Sequence, residues 1–192
     1  MPAEHDQAVT ACPASRPYNR PVDLKALIRD VPDFPQRGVL FRDITPLLGN
    51  PQGFDYVLGK LSGLTGESGA TAVVGIESRG FVFGAPVAAR LGLPFVPVRK
   101  PGKLPAARMS VEYSLEYGEN QLDIHKDAFV AGTRVFIIDD LLATGGTARA
   151  AGQLVEGLGG IVGGYGFVLE LEALGGREAL DGYTVTSLVR YE

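Results

Sequence analysis

Short apolar runs alternate with longer segments in which apolar residues recur every three or four positions. The apolar runs are typical of buried parallel strands and lie at 71–76, 95–98, 135–138 and 161–171, and a last strand predicted at 183–191 closes the sheet. The periodic segments predict amphipathic helices at 52–64, 81–91 and 147–158. This alternation predicts an α/β fold: a central, mainly parallel sheet flanked by helices, with a ligand crevice at the carboxyl ends of the strands.

The stretch 135–147 carries the densest candidate chemistry. Its apolar run is predicted to end at two adjacent carboxylates, Asp139 and Asp140, and a helix is predicted from Thr147. Backbone N–H groups at a helix start are free and the helix dipole favours an anion, while glycine lets a phosphate approach the backbone. The residues predicted to bind a phosphate in this way are Ala143, Thr144, Gly145, Gly146 and Thr147.

Acids beside a phosphate site would repel the phosphate, so Asp139 and Asp140 should face sugar hydroxyls or a phosphate-bound divalent cation. The implied ligand is a phosphorylated sugar with Mg²⁺. An ordinary loop before an N-capped helix is the alternative. The whole run resembles the phosphoribosyl pyrophosphate (PRPP) motif of the type I phosphoribosyltransferases. That resemblance implies that both acids bind the ribose. It also implies that they contact the metal ion only indirectly, because the ion is held mainly by PRPP.

Two further polar segments follow predicted strands. Ser78 and Arg79 come after the strand at 71–76, and Lys100 and Lys103 come after the strand at 95–98. A guanidinium suits phosphate, although a surface arginine and a solvated charge cluster are the alternatives. The block 77–84 resembles the pyrophosphate loop of the same family. The resemblance implies a non-proline cis peptide between Glu77 and Arg79, PRPP binding by Ser78, Arg79 and Lys100, and catalytic roles for Arg79 and Lys103.

The region before the first helix predicts a short helix at 24–31, capped by Asp23 and ended by the prolines of 32–35. By residue type alone, Phe41 would be a core aromatic and Arg42 a salt-bridge partner. The segment 32–48 resembles the small N-terminal hood of the adenine phosphoribosyltransferases. The resemblance implies that Phe41 stacks on a purine and that backbone groups near Val39, Leu40 and Arg42 bond the edge of the base.

A long excursion at about 100–122 predicts a flexible loop, with alternating residues at 110–118 that favour a hairpin or flap over the crevice. Residues 113–118 match the catalytic loop of the same family. The match implies that Glu116 is the acid or base near the purine. A plain surface glutamate is the alternative.

Composition narrows the remaining possibilities. The chain has 192 residues, of which 1–20 predict a flexible leader and 21–192 a single domain. A net charge of −4 does not indicate nucleic-acid binding, and no apolar run is long enough for a membrane span. One cysteine, Cys12, suits a reducing cytoplasm, and two histidines cannot form a histidine-rich metal site.

The family resemblance extends from about residue 32 to residue 171. It implies a purine-salvage enzyme that transfers the phosphoribosyl group of PRPP to adenine, giving AMP and pyrophosphate, with Mg²⁺ and as a homodimer. Two alternatives stay open: a phosphoribosyltransferase for xanthine, hypoxanthine or guanine, and a PRPP-sensing regulator without turnover.

Overall fold

Five parallel strands form the centre of the protein in a computed structural model that describes residues 22–114 and 119–192. The described residues form nine strands in all, five in the central sheet and four in two hairpins. In chain order they are β1 (Arg29–Pro32), β2 (Leu40–Asp43), β3 (Ala72–Ile76), β4 (Phe95–Val98), β5 (Arg108–Ser114), β6 (Glu119–His125), β7 (Arg134–Leu142), β8 (Ile161–Leu171) and β9 (Val185–Tyr191). The α-helices are α1 (Thr45–Leu48), α2 (Pro51–Glu67), α3 (Arg79–Leu91) and α4 (Gly146–Gly157). Short 3₁₀ helices lie at Lys25–Leu27, Glu172–Leu174 and Glu178–Leu180.

The central sheet has the order β4-β3-β7-β8-β9 and is parallel throughout. From β3 the chain passes to β4 on one side, and from β7 to β8 and β9 on the other. The strand order therefore reverses between β3 and β7, which is where open α/β sheets form a crevice at their carboxyl ends. The predicted α/β architecture is confirmed.

Both faces of the sheet are buried. Along β3, Val74 faces one hydrophobic cluster and Val73 the other, because neighbouring side chains of a strand point to opposite faces. Leu154 of α4 belongs to the first cluster, and Leu61 of α2 and Phe83 of α3 belong to the second. Coverage on both sides explains why β3 and residues 135–138 of β7 read as unbroken apolar runs.

The prediction of a helix at 24–31 is wrong. A single 3₁₀ turn, Lys25–Leu27, forms there, and the side chain of Asp23 accepts hydrogen bonds from its N–H groups. From Arg29 the chain is a strand that pairs with β2, so that Val31 lies opposite Phe41. Pairing across the hairpin satisfies the backbone groups that a longer helix would have satisfied, and Arg29 adds an ion pair to Asp43 at 2.5 Å.

The strand predicted to end at Asp139 is also longer than expected. β7 runs through both carboxylates to Leu142, because Leu141 and Leu142 pair with Leu169 and Glu170 of β8. The acid pair thus lies inside the ordered end of a central strand. The position of both carboxylates is set by backbone pairing.

The predicted hairpin over the crevice is present as the antiparallel pair β5 and β6. Its base is joined to the end of β4 by two backbone hydrogen bonds between Arg99 and Asp123, of 2.9 and 2.7 Å. β6 begins at Glu119, inside the stretch at about 100–122 for which a flexible loop was predicted. The leader at 1–20, and Glu116 with its neighbours at 115–118, lie outside the described residues, and the division into leader and domain stays a prediction.

Among the helices of the described ranges, none combines the length and apolar character needed to cross a membrane.

Truncating the core under α2 tests this packing. Leu61 is fully buried, so Leu61→Ala should lower the free energy of unfolding by about 2–5 kcal/mol. Val130 is 78% exposed, and Val130→Ala should change the free energy of unfolding by less than about 0.5 kcal/mol. Urea denaturation of both variants measures the difference. Equal effects would contradict the assignment of Leu61 to the core.

Candidate active site

A cavity of about 410 Å³ opens at the carboxyl ends of β3, β4 and β7. It brings together three segments that lie far apart in the sequence, together with the hairpin β5–β6. The residues that line it are Glu77, Ser78, Arg79, Lys100, Tyr113, Asn120, Gln121, Leu122, Asp139, Asp140, Leu141, Leu142, Ala143, Thr144, Gly145, Thr147 and Ala148. The crevice predicted from the strand order is therefore present.

The phosphate loop, residues 143–147, connects β7 to α4. Gly145 has a φ of 82°, a left-handed conformation that favours glycine, and its carbonyl accepts from the N–H of Arg149 at the start of the helix. Of the five residues predicted to bind phosphate, four line the cavity, and the fifth, Gly146, is the first residue of α4. The loop thus has the free N–H groups and dipole of a helix start at the cavity wall.

The acid pair lies beside this loop. Asp140 is 3% exposed and Asp139 is half-buried, and the Asp139 carboxylate accepts a hydrogen bond of 2.9 Å from the N–H of Asp140. Burial, followed by the charge of Asp140, raises the pKa of Asp139 well above its ordinary value. Burial also raises the pKa of Asp140, although the guanidinium of Arg79 opposes that shift. Two adjacent, partly buried carboxylates are stabilised by a positively charged group of a ligand or by hydroxyl groups that donate hydrogen bonds to them.

Arg79 connects the acid pair to the hood. As the first residue of α3, it places its Nε 3.0 Å from Oδ2 of Asp140, and its guanidinium carbon lies 5.7 Å from the ring centre of Phe41. The peptide between Glu77 and Ser78, just before it, is cis, as predicted. Ser78 and Arg79 both line the cavity.

Glu77 holds the segment that carries the predicted lysines. Its carboxylate accepts from the N–H of Lys100 at 2.9 Å and lies 3.2 Å from Nε of Arg99. Burial acts to raise the pKa of Glu77, but the hydrogen bonds from Lys100 and Arg99 outweigh it and lower that pKa below its usual value. Lys100 lines the cavity, whereas Lys103 is exposed and lies outside its lining.

Glu77 and Arg99 were missed as site residues in the sequence. Two features of the sequence could have identified them. Glu77 comes directly after the predicted strand 71–76, and three cations, Arg99, Lys100 and Lys103, come directly after the next predicted strand, 95–98.

The hood is a neighbour of the cavity and adds none of its lining residues. Phe41 is half-buried and packs edge-on against Phe34 at 5.1 Å between ring centres. The Arg42 side chain pairs with Asp30 and lies over the Tyr191 ring, as the salt-bridge alternative expected. Val39 and Leu40 are exposed at 36% and 46%. Contact between hood and cavity runs through Arg79 and Phe41.

The hairpin contributes four residues that had not been predicted individually as site residues: Tyr113, Asn120, Gln121 and Leu122. Tyr113 and Asn120 are directly opposite each other across the hairpin, and the Tyr113 hydroxyl lies 3.2 Å from Oγ1 of Thr147. A cross-strand register assigned to β5 and β6 would have found them.

The residues that the structure describes contain no group of three or more histidine, cysteine, aspartate or glutamate side chains that could hold a metal ion. Asp139 and Asp140 are two carboxylates, which fits a magnesium ion carried mainly by substrate phosphates. The protein's own contribution to such an ion would be indirect.

Fold and cavity together define a class: a parallel α/β protein with a polar cavity at its topological switch point and a helix start, suited to an anion, at the cavity wall. The family model for the phosphoribosyl transferase domain matches residues 49–163. The adenine phosphoribosyltransferase of Gloeobacter violaceus is 59% identical over 171 residues, covering 88% of this chain and all of the relative. The chain belongs to the adenine phosphoribosyltransferases, within the phosphoribosyltransferase family.

Solved structures agree. The crystal structure of adenine phosphoribosyltransferase from Thermoanaerobacter pseudethanolicus is 52% identical, with a TM-score of 0.85 over 88% of this chain and 98% of that chain. The enzyme from Saccharomyces cerevisiae, complexed with an imino-altritol bisphosphate and adenine, is 43% identical, with a TM-score of 0.82 over 86% and 96%. The type I phosphoribosyltransferase fold is thereby confirmed.

The raised pKa of Asp139 generates a stability prediction. The folded protein holds this proton to higher pH than the unfolded chain, so stability is lost as pH rises through the folded-state pKa. Asparagine has nearly the same shape as aspartate but does not titrate, so Asp139→Asn should remove this loss of stability with rising pH. The variant should be more stable than wild type at pH 7.5, and the gain should shrink toward pH 4.

Thermal unfolding at both pH values measures this, with Asp127→Asn on an exposed residue as the matched control. A gain from Asp139→Asn that is equal at both pH values would contradict the assignment.

Proposed function

We propose that this protein transfers the 5-phosphoribosyl group of PRPP to adenine and releases AMP and pyrophosphate. The observation that carries the proposal is one cavity that meets, along the edge of the sheet, the cations after β4 and β3, then the acid pair of β7, and then the start of α4. A sugar with an anion at each end matches that order of charges. Relatives of high identity named adenine phosphoribosyltransferase support the choice of reaction.

The phosphate loop would bind the 5′-phosphate. Ala143, Thr144, Gly145 and Thr147 line the cavity, and Gly146 begins α4, so that the N–H groups and two hydroxyls face one anion. Asp139 and Asp140 lie one loop away and would accept hydrogen bonds from the ribose hydroxyls. The ribose is then fixed at both its phosphate and its hydroxyls, which orients the anomeric carbon.

The opposite wall would bind the pyrophosphate. Ser78, Arg79 and Lys100 line it, and Lys103 lies in the same loop as Lys100. A magnesium ion brought by PRPP would supply further positive charge on the leaving oxygens. Arg79, Lys100 and Lys103 would neutralise charge as the bond to pyrophosphate breaks, an electrostatic contribution that needs no proton transfer.

The purine N9 would attack the anomeric carbon from the side opposite the pyrophosphate, with inversion. Positive charge develops on the ribose in the transition state, and the carboxylates of Asp139 and Asp140 are the nearest anions to stabilise it. Burial raises the pKa of both carboxyls, and a ligand centre with positive character would oppose that shift and favour the ionised pair. The reacting centre and the acid pair thus stabilise each other.

Adenine would lie against Phe41 of the hood, with its edge toward the backbone near Val39, Leu40 and Arg42. The N–H of Val39 already donates to Gln36, and its carbonyl accepts from Phe34. What this turn can still offer is the second lone pair of the carbonyl, an acceptor. An acceptor suits the 6-amino group of adenine and mismatches the 6-oxo group of hypoxanthine or guanine.

Glu116, which lies between β5 and β6 in the sequence, would manage the proton of the purine. Its neighbours on β5 and β6 line the cavity, which supports a covering role for the hairpin and the exclusion of water that would otherwise hydrolyse PRPP. A homodimer and a cytoplasmic location complete the proposal, as the family resemblance implies. The single cysteine suits the reducing compartment.

An assay of pyrophosphate release with PRPP, Mg²⁺ and a panel of bases tests the function. We expect adenine to be used and hypoxanthine, guanine and xanthine to show kcat/KM values lower by about 10⁴-fold, because a bound base would cover the backbone near Val39 and a donor–acceptor mismatch buried in this way discriminates by that order. Release with no base preferred would exclude the adenine assignment. Binding of PRPP without any release would indicate the sensor alternative.

The role of Glu116 is tested by Glu116→Gln. Losing a general acid or base should lower kcat by about 10²-fold or more while the affinity for PRPP changes little. Glu112→Gln is the matched control, since Glu112 is an exposed glutamate on the same hairpin. Steady-state kinetics and PRPP titration separate the two effects, and an unchanged kcat in Glu116→Gln would remove this residue from the mechanism.

A further inference from the structure

Residues 172–180, here called the support segment, lie directly beneath the phosphate loop. A Cβ built on Gly145 would stand 2.4 Å from the carbonyl oxygen of Gly176 and 2.8 Å from Cβ of Ala179. A Cβ built on Gly176 would stand 2.2 Å from the carbonyl oxygen of Ala143. The two backbones are therefore in contact at a distance that only glycine on both sides permits.

The support segment has little regular structure of its own. It consists of the 3₁₀ turns Glu172–Leu174 and Glu178–Leu180 with a glycine-containing link between them. Leu180 is fully buried and anchors one end in the core. Something else must fix Gly176, because a short turn without ladder hydrogen bonds does not hold its own position.

Arg177, next to Gly176, supplies that anchor. Its Nε and Nη2 donate to the two carboxylate oxygens of Glu170 at 2.7 and 2.8 Å, and Nη1 donates to the carbonyl of Val185 at 3.1 Å. Glu170 belongs to β8 and Val185 to β9. One guanidinium therefore ties the support segment to two strands of the central sheet.

The strength of this anchor follows from the burial of Glu170. Glu170 is 2% exposed, and a carboxylate so placed needs its partners. Burial acts to raise its pKa, but the hydrogen bonds of Arg177 outweigh it and the pKa lies below the ordinary value. A two-pronged arginine–carboxylate contact is also directional, so it fixes orientation as well as distance.

We propose that Arg177 is a positioning residue for the 5′-phosphate: through Glu170 it holds Gly176 against Gly145 and so fixes the N–H groups of the phosphate loop. Arg177 is not among the residues that line the cavity, and it touches no ligand in this scheme. The inference rests on the proposed function, because it concerns the loop to which that function assigns the phosphate. N–H groups held in place before binding cost no reorganisation when the anion arrives.

Arg190 offers a matched control. It approaches the same carboxylate from β9, with Nε 3.7 Å from Oε2 of Glu170, and it also reaches Glu172 at 3.5 Å. Arg177→Gln and Arg190→Gln each remove one guanidinium from Glu170 and leave the other. Only Arg177 is the chain neighbour of the glycine that contacts the phosphate loop.

The experiment is calorimetric titration of wild type and both variants with two separate probes, ribose 5-phosphate and pyrophosphate. Arg177→Gln should weaken ribose 5-phosphate binding by about tenfold or more, the scale expected for a small misplacement of binding groups. Its affinity for pyrophosphate should stay within about twofold of wild type. Arg190→Gln should leave both affinities near wild type, and melting temperatures report the stability lost in each.

Equal losses of ribose 5-phosphate affinity in the two variants, or an equal loss for both probes in Arg177→Gln, would overturn the inference. If Arg177→Gln does not fold, Gly176→Ala replaces it, because it disturbs the contact with Ala143 and keeps the anchor, with Gly66→Ala at an open helical position as its control. Unchanged ribose 5-phosphate affinity in Gly176→Ala would likewise overturn it. Failure of the wild type to bind ribose 5-phosphate would instead refute the proposed function itself.

Discussion

The ion pair between Arg79 and Asp140 is the interaction on which the cavity depends. It joins the start of α3 to the end of β7 at 3.0 Å, and it offsets part of the cost of placing two carboxylates side by side away from water. Without a cation there, burial and the mutual repulsion of Asp139 and Asp140 would raise the pKa of both carboxyls further. Because β3 and β7 are neighbours in the sheet, the helix that follows β3 delivers its first residue to this position.

Further hydrogen bonds and ion pairs position the other groups of the cavity relative to Arg79 and Asp140. Glu77 fixes the loop after β4 through Arg99 and the Lys100 amide, and the Arg99–Asp123 backbone bonds attach the hairpin to the same strand end. Arg79 itself lies near Phe41 and so sets the distance between the hood and the acid pair. Each wall of the cavity is thus positioned by a neighbour that also contacts another wall, which is how a site built from distant segments stays aligned.

Local patterns predicted the parts of the fold that local sequence controls. The strands, the helices α2, α3 and α4, the acid pair and the phosphate loop could be read because periodicity and glycine placement act within a few residues. The β1–β2 hood could not, since Leu24, Ile28 and Val31 keep a helical spacing while strand pairing decides the structure. The extension of β7 to Leu142 and the cavity wall from Tyr113 and Asn120 also depend on partners distant in sequence. Gly176 gave no signal, because its contact with Gly145 exists only in three dimensions.

Under the proposed function, the order of charges across the cavity would determine how a substrate with two anionic ends lies. The phosphate loop offers N–H groups and hydroxyls, which suit a single phosphate, whereas the opposite wall offers full positive charges that favour the more highly charged pyrophosphate. Reversing the ligand would place pyrophosphate, with its metal, at a site built from amides, and leave the lysine and arginine wall with one phosphate. The acid pair between them then meets the ribose in one orientation only. With the pyrophosphate held by the cations, the proposed reaction would leave the opposite face of the anomeric carbon open to the base.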